Sequence, residues 1–195
     1  MKKILFAVLL LTATGTYAQR FQIGIKGGVN FSNFTGGDID TKALVGFHAG
    51  GTLHFWLGDN FAILPEVLFS SQGAKYEDAG NETNLKVSYV QIPLFAKYRF
   101  NGGFYLEAGP QFGFKVGEDG EIPNVPIDEF ANSSDISIGA GLGFHSQGGL
   151  GIGARYLAGV SKVGNFDASS VNPDFKNSVI QISLFYTLFN KKDNK

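Results

Sequence analysis

The sequence predicts an all-β fold, a closed eight-stranded antiparallel up-and-down transmembrane β-barrel. Three observations lead there. Residues 85–116, LKVSYVQIPLFAKYRFNGGFYLEAGPQFGFKV, alternate with a period of two on both sides of Asn101-Gly102-Gly103, the pattern of a β-hairpin. The alternating runs are about a dozen residues long, where soluble strands hold about five or six and a strand tilted across a bilayer needs about 9–11. The unit recurs until eight strands are joined by connections that alternate long and short, with short turns at 58–60, 101–103 and 147–149. Short periplasmic turns opposite long outer loops are the pattern of an outer-membrane barrel.

Each strand follows from its own alternation. The first spans Phe21–Phe31 and the second about Leu44–Leu57, with a polar loop at 32–43 between them. The third spans Phe61–Gln72; Pro65 removes a ladder donor there and marks an expected bulge. A charged loop is expected at 73–84, then the hairpin strands that end at Phe100 and begin at Phe104. The longest loop, 117–134, leads to strands at 135–145, 150–160 and about 176–189, the last two separated by a loop at 161–175. The barrel domain is expected over 19–195, with strands at about 21–189 and a polar tail at 190–195.

The N-terminus reads as an export signal. Met1-Lys2-Lys3 precedes the apolar run Ile4–Leu11 and the small residues around Thr16 and Ala18, so residues 1–18 are expected to be a signal peptide cleaved after Ala18. Removing them takes away two lysines and no acid, so the formal net charge moves from −1 to −3. That balance offers nothing to a nucleic acid. There is no cysteine, hence no disulfide framework or thiolate metal site.

One face of the strands is apolar and the other polar, and we expect the apolar face against lipid. The polar face carries Lys26, His48, Glu66, Lys97, Arg99, Glu107, Lys115 and Arg155 among glycines. An eight-stranded barrel has an interior just wide enough for side chains. Glycines beside long charged residues suit that space, whereas a soluble barrel built around an apolar ligand would need an apolar cavity. Aromatics end the apolar face: Phe21, Phe55, Phe61, Phe100, Phe104 and Phe144 near the short turns, and Phe31, Phe69, Phe112, Phe114 and Tyr156 towards the long loops. Two such girdles flank the apolar band of an outer-membrane barrel. Open edges cannot lie in lipid, so the eighth strand must pair with the first.

The hairpin turn also fixes a register. With three residues at 101–103, Phe100 faces Phe104, so Lys97 lies opposite Glu107, Arg99 opposite Tyr105 and Phe95 opposite Gly109. Directly opposed Cβ atoms are about 4.5–5.5 Å apart, and a structural Lys97–Glu107 salt bridge is expected.

The runs GIKGGVNFSNF (24–34), LPEVLFSSQGAKY (64–76), VQIPLFAKYRF (90–100), FYLEAGPQFGF (104–114) and GARYLAGVSKV (153–163) resemble the PorT-like outer-membrane β-barrel family. The resemblance spans about Phe21 to Phe189, and the aromatic end at Tyr186 and Phe189 is similar to the signal read by outer-membrane assembly machinery. It implies an eight-stranded barrel in the outer membrane of a Gram-negative bacterium, exported by a cleaved signal peptide. The partners it implies are outer-membrane lipid and the barrel assembly machinery. It implies no activity and supplies no catalytic motif. The name-giving member's link to a protein secretion apparatus rests on fold-level analogy.

Chemistry-bearing residues are few. His48 and His54 face inward six residues apart, whereas a metal pair on a strand sits two apart on one face. Ser70, His48 and Glu66 fall on inward faces of neighbouring strands, and lipid hydrolases use serine, histidine and a carboxylate; a triad needs a serine–histidine hydrogen bond and an oxyanion hole. Of the 17 acidic residues, most lie in the four long loops, including Asp38, Asp40, Glu77, Asp78, Glu82, Asp119, Glu121, Asp128, Glu129, Asp167 and Asp174. The acids read first as solvation; the sharper reading is divalent-cation bridging to phosphorylated lipid, for which Glu118-Asp119-Gly120-Glu121 lacks calcium-loop spacing. No cofactor is called for. The expected role is that of a non-enzymatic structural or interaction protein acting through extracellular loops towards an extracellular or envelope partner. A lipid-modifying enzyme or a secretion component is the alternative.

Overall fold

In the computed structural model, residues 21–36, 41–78, 81–119, 131–164 and 174–188 are described. The expected signal peptide and polar tail lie outside them, as do Phe189 and the acids at 38, 40, 121, 128, 129 and 167. Eight strands run in order: β1 (Phe21–Thr35), β2 (Thr41–Trp56), β3 (Phe61–Asp78), β4 (Asn81–Arg99), β5 (Phe104–Asp119), β6 (Ser134–His145), β7 (Leu150–Gly159) and β8 (Lys176–Leu188). Each pairs antiparallel with its sequence neighbour, and β8 pairs with β1 to close the barrel. Closure satisfies every edge that lipid would leave unpaired.

The period of two sets which side chains face which way. On β7 and β8 exposed and buried residues alternate almost without a break. The side chains turned outward are Ile, Leu, Val and aromatics, and the girdle aromatics named above are all 39–52 % exposed. Neighbouring rings touch along the girdles: Phe21–Phe55 at 5.2 Å, Phe100–Phe104 at 5.7 Å and Phe47–Phe69 at 5.7 Å between centroids. The turn at 101–103 uses Gly102 (φ 95°) and Gly103 (φ 98°), a backbone conformation that side-chain-bearing residues rarely adopt.

Two expectations need correction. The charged stretch 73–84 is not a loop: β3 runs on to Asp78 and β4 starts at Asn81, with one register kept from Phe61–Tyr98 to the Asp78–Asn81 end. The stretches 32–35, 41–43 and 117–119 are strand as well. Main-chain pairing outlasts the lipid-facing alternation, because above the apolar band the outward side chains meet a polar medium. There Lys86 points outward while Ala74, Leu85 and Val87 stay buried. The bulge expected at Pro65 is also absent. Thr52–Glu66 and Phe55–Ile63 share one register across it, and the β2–β3 shift falls between Ala43 and His48. A second shift lies in β4–β5 between Ser88 and Tyr89.

The interior is layered. At the loop end Phe34 packs on Phe175 at 4.8 Å, and Ala74, Leu85, Val87, Ala131 and Val163 are buried. A small apolar cluster of Ala62, Leu64, Phe95, Leu157 and Val179 lies between strands that face each other across the lumen. Apart from Leu68, Tyr89, Tyr105 and Phe185, the other buried side chains among the described residues are polar.

Candidate functional site: the polar lumen

Four charged side chains from alternate strands meet inside the barrel: Lys26 on β1, Glu66 on β3, Glu107 on β5 and Arg155 on β7. All are buried. Arg155 donates Nη1 to Glu66 Oε2 and Nη2 to Glu66 Oε1, both at 2.7 Å. This is the planar two-bond fork that a guanidinium makes with a carboxylate. Lys26 Nζ donates to the same two oxygens at 3.2 and 3.3 Å. Arg155 Nε donates to Glu107 Oε1, and its guanidinium lies 4.2 Å from the centre of the Phe95 ring. Glu66 thus uses both oxygens twice.

The hairpin register is the expected one, with Lys97 opposite Glu107 and Arg99 opposite Tyr105. The direct Lys97–Glu107 salt bridge does not form. Arg155 reaches across from β7 and takes Glu107, while Lys97 Nζ sits 3.6 Å from the centre of the Tyr105 ring and 4.8 Å from that of Phe185. Two further charges expected in this network lie outside it. Arg99 is half-buried, 5.8 Å from the Trp56 ring, and its backbone joins Asn60 in the short turn. Lys115 is at the loop end, donating to Glu118 Oε2 at 3.1 Å and to the Ala131 carbonyl at 2.7 Å. It anchors the end of the long loop to the wall, since Glu118 Oε2 also accepts from the Ala131 N–H at 3.2 Å.

The Ser70–His48–Glu66 grouping does not assemble either. Ser70 Oγ accepts from Asn30 Nδ2 at 3.0 Å and from Gln72 Nε2 at 3.1 Å, and Glu66 is held by Arg155 and Lys26. His48 instead bonds Asn30 Oδ1 through Nδ1 at 2.7 Å and Ser183 Oγ through Nε2 at 2.8 Å. Gly28 lies between them: it pairs with His48 on one side and with Ser183 on the other. A Cβ there would stand 2.8 Å from His48 Cε1, so the absence of a side chain lets the imidazole cross β1. Asn30, His48 and Ser183 are each at most 3 % exposed. Ser183 went unnoticed as a partner of His48 because their meeting depends on the β1–β8 closure register.

His54 packs against His145 at 5.6 Å and Phe185 at 6.2 Å between ring centroids, and His145 Nε2 bonds Thr187 Oγ1 at 3.1 Å. Among the described residues no three His, Cys, Asp or Glu side chains group as metal ligands. Lys26, Glu66, Lys97, Glu107 and Arg155 line one small cavity of about 10 Å³, room for about one water molecule. Among the described residues, packed side chains fill the lumen around this cavity.

A closed eight-stranded wall, apolar and aromatic outside and filled with polar side chains inside, defines a small outer-membrane β-barrel protein. The chain belongs to the family described as outer membrane protein beta-barrel domain, which matches residues 16–165. Among solved structures it is similar to Ail, the attachment invasion locus protein of Yersinia pestis, in complex with the heparin analogue sucrose octasulfate. The identity there is 16 % over 87 % of this chain and 100 % of that one, with a TM-score of 0.50. Neisserial surface protein A is similar at 14 % identity over 86 % and 97 %, TM-score 0.49. The outer membrane protein OprG from Pseudomonas aeruginosa is similar at 13 % over 86 % and 95 %, TM-score 0.48. At these identities the likeness is one of fold. No curated protein matches the sequence.

Proposed function

We propose that this chain is a PorT-like integral protein of a Gram-negative outer membrane. It is exported by a cleaved signal peptide and acts without catalysis, through its extracellular loops, as a structural or interaction protein. The observation that carries this reading is the filled lumen. Lys26, Glu66, Glu107 and Arg155 pair with one another inside the wall, and the surface left for recognition is the loop end. Lipid holds the barrel, the assembly machinery inserts it, and an envelope or extracellular partner meets the loops.

Tags inserted after Gly36 and Asp78 should be reached by antibody on intact cells, and a tag after Asp59 should not; the reverse pattern would overturn the orientation. Steady single-channel currents from purified protein in a planar bilayer would contradict the filled lumen. Membrane lipids from cells with and without the protein should carry the same acyl chains.

One observation favours a lipid-modifying enzyme as a second reading: the Ser183–His48–Asn30 chain has the order of a nucleophile, base and orienting amide. Its burial opposes substrate access. Deacylated lipid that accumulates with the wild type and disappears with Ser183→Ala would establish that reading instead. A place in a secretion apparatus would show as loss of a secreted protein from the medium when the chain is deleted.

A further inference from the structure

Lys97 is 1 % exposed, and an ammonium brings three N–H donors. Among the described residues its Nζ meets two ring faces and no hydrogen-bond acceptor. Two other polar atoms lining the same cavity, Thr52 Oγ1 and His54 Nδ1, are buried without a hydrogen-bond partner among the described residues. Glu107 gives Oε1 to Arg155, and its Oε2 accepts no hydrogen bond among the described residues. All four side chains line the same cavity, about 10 Å³ in size.

We propose that this cavity is a built site for one water molecule, which accepts from Lys97, donates to Glu107 and completes its bonds with Thr52 and His54. Size and chemistry both select water. A buried water needs about 10–15 Å³ and makes about three hydrogen bonds, and the lining offers both donors and acceptors. An anion would face Glu66 and Glu107. A metal cation would face Lys26, Lys97 and Arg155. The pairing of Lys97 with Glu107 that the hairpin register sets up is therefore made through solvent.

The test uses the folded wild-type protein. Crystals grown from lipidic mesophase with bromide as the halide should show an oxygen-sized peak within hydrogen-bond distance of Lys97 Nζ and Thr52 Oγ1, without anomalous signal. In nanodiscs, NMR should give cross-peaks from a long-lived water to the Thr52 methyl and the His54 ring. A bromide anomalous peak in the cavity would replace the water with an anion and overturn the proposal. So would a direct Lys97–Glu107 contact with the cavity closed, or the lack of any water cross-peak to Thr52 and His54.

Discussion

The two sides of the lumen are built differently. β3, β4 and β5 send in bulk: Leu64, Glu66, Phe95, Lys97, Tyr105 and Glu107 are all buried. The inward face of β6 holds Gly139, Gly141 and Gly143, and β7 begins with Gly151 and Gly153 before Arg155. The glycines sit under the bulk. A Cβ on Gly139 would stand 2.6 Å from Phe95 Cζ, and one on Gly153 would stand 2.2 Å from the Tyr105 hydroxyl oxygen. The lumen is filled from one side and given room by the other, so the same change in volume or charge should cost different amounts on the two sides.

The largest effect should come from the bulky, charged side. Glu66→Gln leaves Lys26 and Arg155 with a single carboxylate between them and should destabilise the barrel by about 3–5 kcal/mol, as for any broken buried pair; urea unfolding in lipid vesicles measures it. A charge on the outer face is the next test. Ala108→Arg near the middle of the apolar band should cost about 2–4 kcal/mol, so the same strand tolerates Glu107 and rejects an arginine one residue away.

The glycine side should respond to volume. Gly139→Val should cost about 1–3 kcal/mol through overpacking, and Phe95→Leu in the same chain should recover part of it; an additive double variant would show that the two do not share space. The smallest effect belongs to Lys97. Lys97→Met gives up ring contacts worth about 0.5–2 kcal/mol and breaks no direct ion pair. Double-mutant cycles with Glu107→Gln should give a weaker coupling for Lys97→Met than for Arg155→Met.

The wall was legible in the sequence, and the contacts that cross the lumen were not. Alternation and the turn at 101–103 were enough to place Lys97 opposite Glu107, because wall neighbours depend only on local register. Arg155 takes Glu107 from two strands away, and no periodicity reports which long side chain bridges an interior. The paired stretch at 73–84 was hidden for a related reason. Its outward residues, such as Lys75, Asn84 and Lys86, carry no apolar stripe above the lipid, although the backbone goes on pairing. His48 was placed correctly on the inner face, but its partner Ser183 stands on β8, which closure alone brings within reach of β2 across β1.

That closure has a consequence in time. Lys26, Glu66, Glu107 and Arg155 stand on β1, β3, β5 and β7, so none of their ion pairs joins adjacent strands, and Arg155 meets Glu66 across 89 residues of chain. A sheet growing strand by strand gains none of these bonds early. Until it curls shut it holds four charges that hydrocarbon would penalise by at least about 2.5–3.5 kcal/mol for each one left bare at its centre. Lys26–Glu66 and Arg155–Glu107 each bridge strands two apart, whereas Arg155–Glu66 joins β7 to β3 and forms only when the sheet curls shut. An incomplete sheet therefore carries bare charge on its inner face, and has every reason to wait outside the bilayer until its strands curl together.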